Sequence, residues 1–431
     1  MLIAIALVLL SVASYLVWPS RWNIPAHLQI GFSITAYIVP VVFVGVLDSY
    51  PSELVMLYEQ ILVWGMLFYI VGIVIGFYTP LLKIMPLRHT LNASTKELLR
   101  FVAPRVLWIT LMALAGVMVS FAVMGFIPMF AEDPLMAKFF RGPYQEAYRP
   151  VAPLYRASMF LLYLLIPLNL VLWFHMSKKR FLLLALLSFA VIAASLVRGQ
   201  AIYGFLIFVG LLAARNRVGF LLFLVFVVAV YPLGSASYYL LKAVFGLDAL
   251  GGVYQDTGIW QIIASGAPDI SDQLTFLAAF IERGSYTYGL TFVGGLVPYN
   301  FTWSPAVWVL ALVNPGTSVS EIASGGFRLA VPLWGYASFG WVGVIIVPLI
   351  SGFIWGNATR YAKKYVENPS SLLHAALALT VYLTIGVQLS QFYLLSMYSL
   401  PGIALALFLL YRFKWFARAK LNAYRGYGHS G

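Results

Sequence analysis

Uninterrupted apolar runs of roughly 17 to 25 residues, the length an α-helix needs to cross about 30 Å of hydrocarbon, recur along the whole 431-residue chain. In lipid every backbone N–H and C=O must be satisfied within the fold, which leaves only helices or closed barrels. Barrel strands would read as alternating segments of about ten residues. These runs are continuous, so the sequence predicts an all-α polytopic integral membrane protein. Charged residues are only 10% of the chain, against about 25% in soluble domains, which makes lipid its main solvent.

Hydropathy and flanking charge place spans near 1–18, 28–47, 58–82, 105–126, 156–175, 181–197, 200–214, 218–241, 335–357, 371–391 and 394–412, about eleven within one membrane domain over 1–431. The first run, Met1 to Trp18, has no basic residue before it and no small-residue cleavage site ahead of a soluble body. It is expected to be retained as a span. Arg21, the Lys83/Arg88/Lys96/Arg100 stretch, Lys178 to Arg180, Arg215 and Arg217, Arg360/Lys363/Lys364 and the tail from Arg412 to Arg425 all sort to one side. By the positive-inside rule that side is cytoplasmic, with the N-terminus outside and the C-terminus inside. The net charge of +13 is then a consequence of topology and requires no nucleic-acid partner.

On the opposite side fall Asp48 and Glu53, an outer loop over 127–155 and a large outer segment over 242–334. The apolar stretch Gln273 to Ile281 and the Gly-, Pro- and Trp-containing run Tyr288 to Val313 predict interfacial or re-entrant helix, tolerated within a membrane only where protein buries it. The chain has no cysteine, which excludes disulfides and thiolate metal sites.

Arg198 stands in the turn Val197-Arg198-Gly199-Gln200, at the outer end of one span and the start of the next, where the positive-inside rule does not account for it. An arginine against hydrocarbon costs at least ~2.5 kcal/mol at a helix centre and less near the interface, so it must be paired, face a polar cavity or snorkel to lipid headgroups. A phosphate-bearing ligand would satisfy its fork of donors. Arg283, beside Glu282, and Arg328, after the small-residue loop Ser324-Gly325-Gly326-Phe327, are further outer-side cations that could hold an anion or serve as ordinary surface charges. The outer loop adds Glu132, Asp133, Lys138, Arg141, Glu146, Arg149 and Arg156, with prolines that stiffen it; a loop lining a pocket for a polar substrate has this composition, and so does an ordinary solvated loop. Asp269 and Asp272 precede the apolar stretch at i, i+3 spacing, and Asp272 is expected to N-cap it. The five histidines lie on the cytoplasmic side or at its boundary, and neither a Walker A pattern nor His-Glu-x-x-His is present. Energy must come from the substrate, and no cofactor is expected.

Three stretches together resemble the O-antigen polymerase, or Wzy-type oligosaccharide repeat-unit polymerase, family: Gly125-Phe126-Ile127-Pro128 to Glu132-Asp133-Pro134; Ser195-Leu196-Val197-Arg198-Gly199; and a run from Arg283 through Tyr288-Gly289, Val297-Pro298 and Trp303-Ser304-Pro305 to Gly335-Tyr336-Ala337-Ser338-Phe339-Gly340-Trp341-Val342-Gly343. Some members carry Arg-x10-Gly motifs on outer loops. Arg283 to Gly294 fits that spacing, while Arg198 meets Gly210 one residue late.

The resemblance implies a glycosyltransferase of the bacterial inner membrane that uses no nucleotide sugar. The donor is a glycan on polyprenyl pyrophosphate, and the acceptor is a second lipid-linked repeat unit. Membrane lipid surrounds the enzyme, and a chain-length regulator is a further partner the family suggests. Arg198 and Arg283, with Arg328 third, would stabilise charge building on the pyrophosphate, and Arg141 and Arg149 would contact pyrophosphate or glycan. The base would be an outer carboxylate: Glu282, Glu321, Asp133 or Asp272. The rivals are an O-antigen ligase, which carries a histidine in its large outer loop where this chain has none between His175 and His374, and a lipid-linked oligosaccharide flippase, which would show charge buried mid-span and internal repeats.

Overall fold

The computed structural model describes residues 1–79, 93–245, 258–265, 267–297, 301–316, 327–367 and 369–410. The side chains of 135, 198–201, 235–245 and 265 lie outside that description, as do Lys83, Arg88, Glu321 and the basic tail from Arg412 to Arg425. Among the described residues all regular structure is helical.

Seven helical segments are long and apolar enough to cross a membrane, and the chain is an all-α polytopic membrane protein. The main helices are α1 (Leu2–Val12), α2 (Ile24–Ser33, continued as a wider helix over Ile34–Val44), α3 (Ser52–Tyr78), α4 (Thr95–Met124), α5 (Ala152–Met176), α6 (Lys179–Ala194), α7 (Arg198–Ala213) and α8 (Arg217–Phe245). They are followed by α9 (Asp269–Arg283), α10 (Pro305–Val313), α11 (Val331–Val366), α12 (Leu372–Val381, continued to Ser390) and α13 (Leu400–Leu410). Helices α1, α6, α7 and α13 occupy the remaining expected places. At 1.5 Å per residue they reach only roughly 16–24 Å.

Local sequence accounts for several helix ends. Ser94 and Glu97 form a reciprocal capping box at the start of α4, satisfying donors that helix N-termini leave orphaned. Gly125 ends α4 with φ +73°, a conformation in which a side chain would be strained. Asn23 accepts from the Ala26 N–H to open α2.

The buried residues gather in two clusters. The first joins α4 to α8 with α12 and α13. The second joins α1, α3, α9 and α11 with the later half of the Ile24–Val44 segment. Trp355 packs against both. Lipid supplies little hydrophobic drive between helices, so small residues that admit close backbone approach hold such bundles together. Gly72 and Gly76 of α3 lie against the carbonyls of Leu349 and Phe353 in α11, and Gly352 and Gly356 of α11 lie against those of Tyr69 and Ile73. Both numberings increase together, so α3 and α11 run parallel.

The predicted span near 335–357 is divided. Helix α11 breaks at Phe339 and at Gly340, which has φ 61° and ψ −143°. Gly335 and Gly343 touch backbone to backbone, although eight residues of straight helix would hold them about 12 Å apart. Residues 331–338 therefore form the rising arm of a hairpin and 341–366 the descending helix. Pro332, at the foot of that arm, packs on Gly65, about 20 Å along α3 from Ser52 at 1.5 Å per residue. The chain thus reaches the middle of α3 before α11 properly begins, in a segment where a continuous span was expected; the stretches expected to be interfacial or re-entrant, Gln273 to Ile281 and Tyr288 to Val313, form parts of α9 and α10. Donation from the Thr287 and Tyr288 N–H groups to the carbonyls of Ala337 (3.0 Å) and Ser338 (3.1 Å) satisfies its end.

Arg21, His175, Arg215 and residues 369–372 line one cavity of about 480 Å³, so these loops share one end of the bundle. Arg360 donates to the Phe77 carbonyl and the Lys363 amine approaches that of Val17 near the same helix ends.

Candidate functional site

Helix α9 buries Ile270, Leu274, Phe276, Leu277 and Phe280 in the second cluster. That packing draws the polar residues of its first turns inward as well. Asp269 is 1% exposed, and Arg328 answers it: Nε lies 2.8 Å from Oδ1, and Nη2 donates to Oδ2 at 2.9 Å. Only the Nη2 contact has hydrogen-bond geometry; Oδ1, though close to Nε, has no hydrogen-bond partner among the described residues, so the pair is a charge-assisted hydrogen bond with a second electrostatic contact beside it. The Arg328 side chain remains 61% exposed, and its guanidinium lies 5.2 Å from the Phe32 ring, near the middle of Ile24–Val44. Four residues on from Arg328, Pro332 meets Gly65. The pair therefore sits beside the middle of the Ile24–Val44 segment rather than in a surface loop.

Neighbouring polar groups complete the site. The buried Tyr58 hydroxyl donates to Gln273 Oε1 at 2.9 Å, and Tyr50 reaches the Ser271 carbonyl at 3.3 Å. Tyr37 lies within electrostatic reach of Asp269 and Arg328, with its hydroxyl toward Ser11. Burial pushes the Asp269 carboxyl up while Arg328 pulls it down. Asp272, one turn on, is raised to about 6, first by burial and then by the Asp269 charge, with Arg328 opposing. A carboxylate near that value can accept and return a proton at neutral pH. The expected capping role of Asp272 is not found: Pro268 is the N-cap residue of α9, with no side-chain cap, and Asp272 stands a turn inside the helix.

Between the two clusters lies a cavity of about 240 Å³, bordered by Ser11, Gln29, Tyr163, Tyr203, Trp355 and Gln388 among others. A chain of rings leads toward it from the ion pair. Phe32 meets Tyr231 edge-on at 6.2 Å, and Tyr231 lies within electrostatic reach of Tyr163 and Tyr203.

The other sequence candidates are distributed elsewhere. Arg283 clamps the end of α10, its Nε and Nη2 donating to the carbonyls of Leu312 (2.8 Å) and Val313 (3.1 Å). Its Nη1 pairs with Glu282 at 2.9 Å, and Glu282 is 72% exposed. Arg198 is the first residue of α7, after a turn in which Leu196 takes φ 59°; its side chain is among those not described. Asp133 caps the short helix Pro134–Lys138 by accepting from the Met136 N–H at 2.9 Å. Arg141 and Arg149 are exposed, on a cap whose Phe140, Tyr148 and Tyr155 pack into the first cluster. In that cap Arg156 donates to the Tyr148 hydroxyl and lies 4.6 Å from the Tyr398 ring. Arg328 and Arg283 attach to the second cluster instead.

The Asp269–Arg328 pairing spans 59 positions and left no local sequence signal beyond two aspartates ahead of an apolar stretch. Tyr163, Tyr203 and Tyr231 stand singly inside apolar runs, a pattern that local sequence does not distinguish from ordinary core.

Fold and site together define a polytopic helical membrane protein with a charged pair beside the middle of its Ile24–Val44 segment. Comparison of the chain with protein-family models, with curated proteins and with solved structures returned no match.

Proposed function

We propose that this protein polymerises polyprenyl-pyrophosphate-linked oligosaccharide repeat units on the outer face of a bacterial inner membrane, with its N-terminus outside and its C-terminus cytoplasmic. The observation that carries the reading is Arg328, fixed by Asp269 yet 61% exposed at a depth where an arginine facing only lipid would be costly. A pyrophosphate is a ligand of the right charge and geometry for its remaining donors.

In the proposed step the acceptor hydroxyl oxygen attacks the anomeric carbon of the donor sugar. The bond from that carbon to the pyrophosphate oxygen breaks, and the pyrophosphate leaves with its electron pair. The hydroxyl proton passes to a carboxylate, for which Asp272 is the choice that its raised pKa and its place beside Arg328 support. Arg328, with Arg198 at the head of α7, would stabilise the leaving charge more in the transition state than in the ground state. Arg283 would hold α9 against α10.

One observation favours a second reading. A polar cavity on a seam between two packed clusters also suits a flippase for the same lipid-linked units. Glycan ladders from a deletion strain, complemented at matched membrane expression with wild type, Arg328→Ala, Arg198→Ala or Asp272→Asn, separate the two. Polymerisation predicts long chains with wild type and single units with the variants. Single units that never reach the outer side would favour transport, and unaltered ladders with all three variants would remove these residues from the site.

A further inference from the structure

The seam cavity, about 240 Å³, holds roughly eight waters' worth of space at about 30 Å³ each. Its wall carries the carboxamides of Gln29, Gln388 and Gln391 and the hydroxyls of Tyr163 and Tyr203. Among the described residues no side-chain hydrogen bond is made by any of these five groups, and the buried Trp355 indole N–H lacks an acceptor. Helices of a membrane protein ordinarily satisfy such groups against one another. Five side chains from α2, α5, α7, the α12 segment and the turn after it that converge on one space without doing so require something polar in it.

The lining also restricts what that occupant is. Among the described residues no Asp, Glu, Lys, Arg or His borders the cavity, so none of them offers a phosphate or carboxylate a counter-charge there. Carboxamides offer paired donors and acceptors, which match vicinal hydroxyls. The faces of Tyr163, Tyr203 and Trp355 offer flat apolar surface for the C–H face of a ring.

We propose that this cavity is a binding subsite for a neutral, hydroxyl-rich pyranose, separate from the charged Arg328 site. That the pyranose belongs to the acceptor unit rests on the glycosyltransferase reading; the chemistry of the subsite does not. Charge and sugar recognition are thereby divided between two places, the pyrophosphate on the ion-pair side and the ring between the clusters.

The test uses the full-length protein in phosphatidylcholine nanodiscs and saturation-transfer NMR. The neutral probes are the methyl pyranosides of glucose, galactose, mannose, N-acetylglucosamine, rhamnose and fucose; methyl glucuronate is the charged probe. The expected result is saturable binding of at least one neutral pyranoside, weakened tenfold or more in Gln388→Leu/Gln391→Leu, with no signal from the glucuronate. These amides have no partner to lose among the described residues, so the thermal midpoint of the double variant should stay at or above that of wild type, and Gln388→Asn/Gln391→Asn should retain part of the binding. If none of the six neutral probes binds, or if binding is the same in the leucine variant, the cavity holds only water and the proposal falls. Pyranoside binding in a protein whose Arg328→Ala form still builds long glycan ladders would uphold the subsite while overturning the assigned role of Arg328.

Discussion

Arg328 and Asp269 are joined by a two-point contact, 2.8 Å and 2.9 Å, in which the carboxylate is buried and the guanidinium is largely open. The asymmetry gives the pair a direction: Asp269 is the support, and the free edge of Arg328 is what the fold presents. An ion pair buried on both sides would have little left to offer a ligand.

Removing either partner should therefore have unequal effects. Arg328→Gln strands a carboxylate that is 1% exposed, and we expect a loss of about 2 kcal/mol, below the 3–5 kcal/mol of a fully buried pair because the arginine is partly solvated. Asp269→Asn should cost less, and Asp269→Asn/Arg328→Gln should recover most of the loss. Denaturant titration of the three variants in one detergent checks this; a double variant no better than Arg328→Gln would contradict it.

The pH response follows from Asp272. Its carboxyl in the folded protein titrates at about 6, against an ordinary 3.8. Between those values the folded state binds the extra proton, so the contribution to stability is greatest below the ordinary value and declines as pH rises through about 6. The thermal midpoint should be higher near pH 4.5 than near pH 7.5. Asp272→Asn should flatten part of that slope, and Asp269, also raised by burial, should supply a remainder of the same sign. Any transfer activity that needs the Asp272 carboxylate should rise with pH over the same window and lose that dependence in Asp272→Asn.

The glycine contact between α3 and α11 should be intolerant of a single methyl. A Cβ on Gly76 would overlap the Phe353 carbonyl, whereas one on Gly234 in α8 meets nothing within 4 Å. Gly76→Ala should cost roughly 1–3 kcal/mol through overpacking, and Gly234→Ala should be neutral or slightly stabilising. Parallel thermal melts of the two decide it.

Arg283 makes a different prediction from the other arginines. Its donors hold the last carbonyls of α10, so Arg283→Ala should lower stability by roughly 1–2 kcal/mol, with any loss of activity following the loss of fold. Lysine, with a point charge in place of a fork, should restore only part. An Arg283→Ala protein as stable as wild type but inactive would instead make this residue a ligand contact.

Much of the architecture was legible because a membrane imposes it. Chain length between breaks, apolar continuity and the sorting of Arg and Lys read directly as helix positions. Arg198 at the head of α7 and Gly125 at the end of α4 stood where their local sequence implied. The aspartates show where such reading stops. Capping is a local property, and Asp272 had the spacing for it, but the packing of Ile270, Leu274 and Leu277 turned that face of α9 toward Arg328.

By itself the sequence determined that this chain is a helical membrane protein and roughly where its helices run, because hydrocarbon leaves a backbone almost no other choice. Tertiary structure alone decided that Gly335, Gly340 and Gly343 make a hairpin, that Arg328 stands beside Phe32, and that amides and tyrosine hydroxyls from α2, α5, α7 and the end of the α12 segment share one cavity. The hairpin turns on one backbone reversal at Gly340, and the other two outcomes depend on contacts between residues tens to hundreds of positions apart; no local periodicity records either.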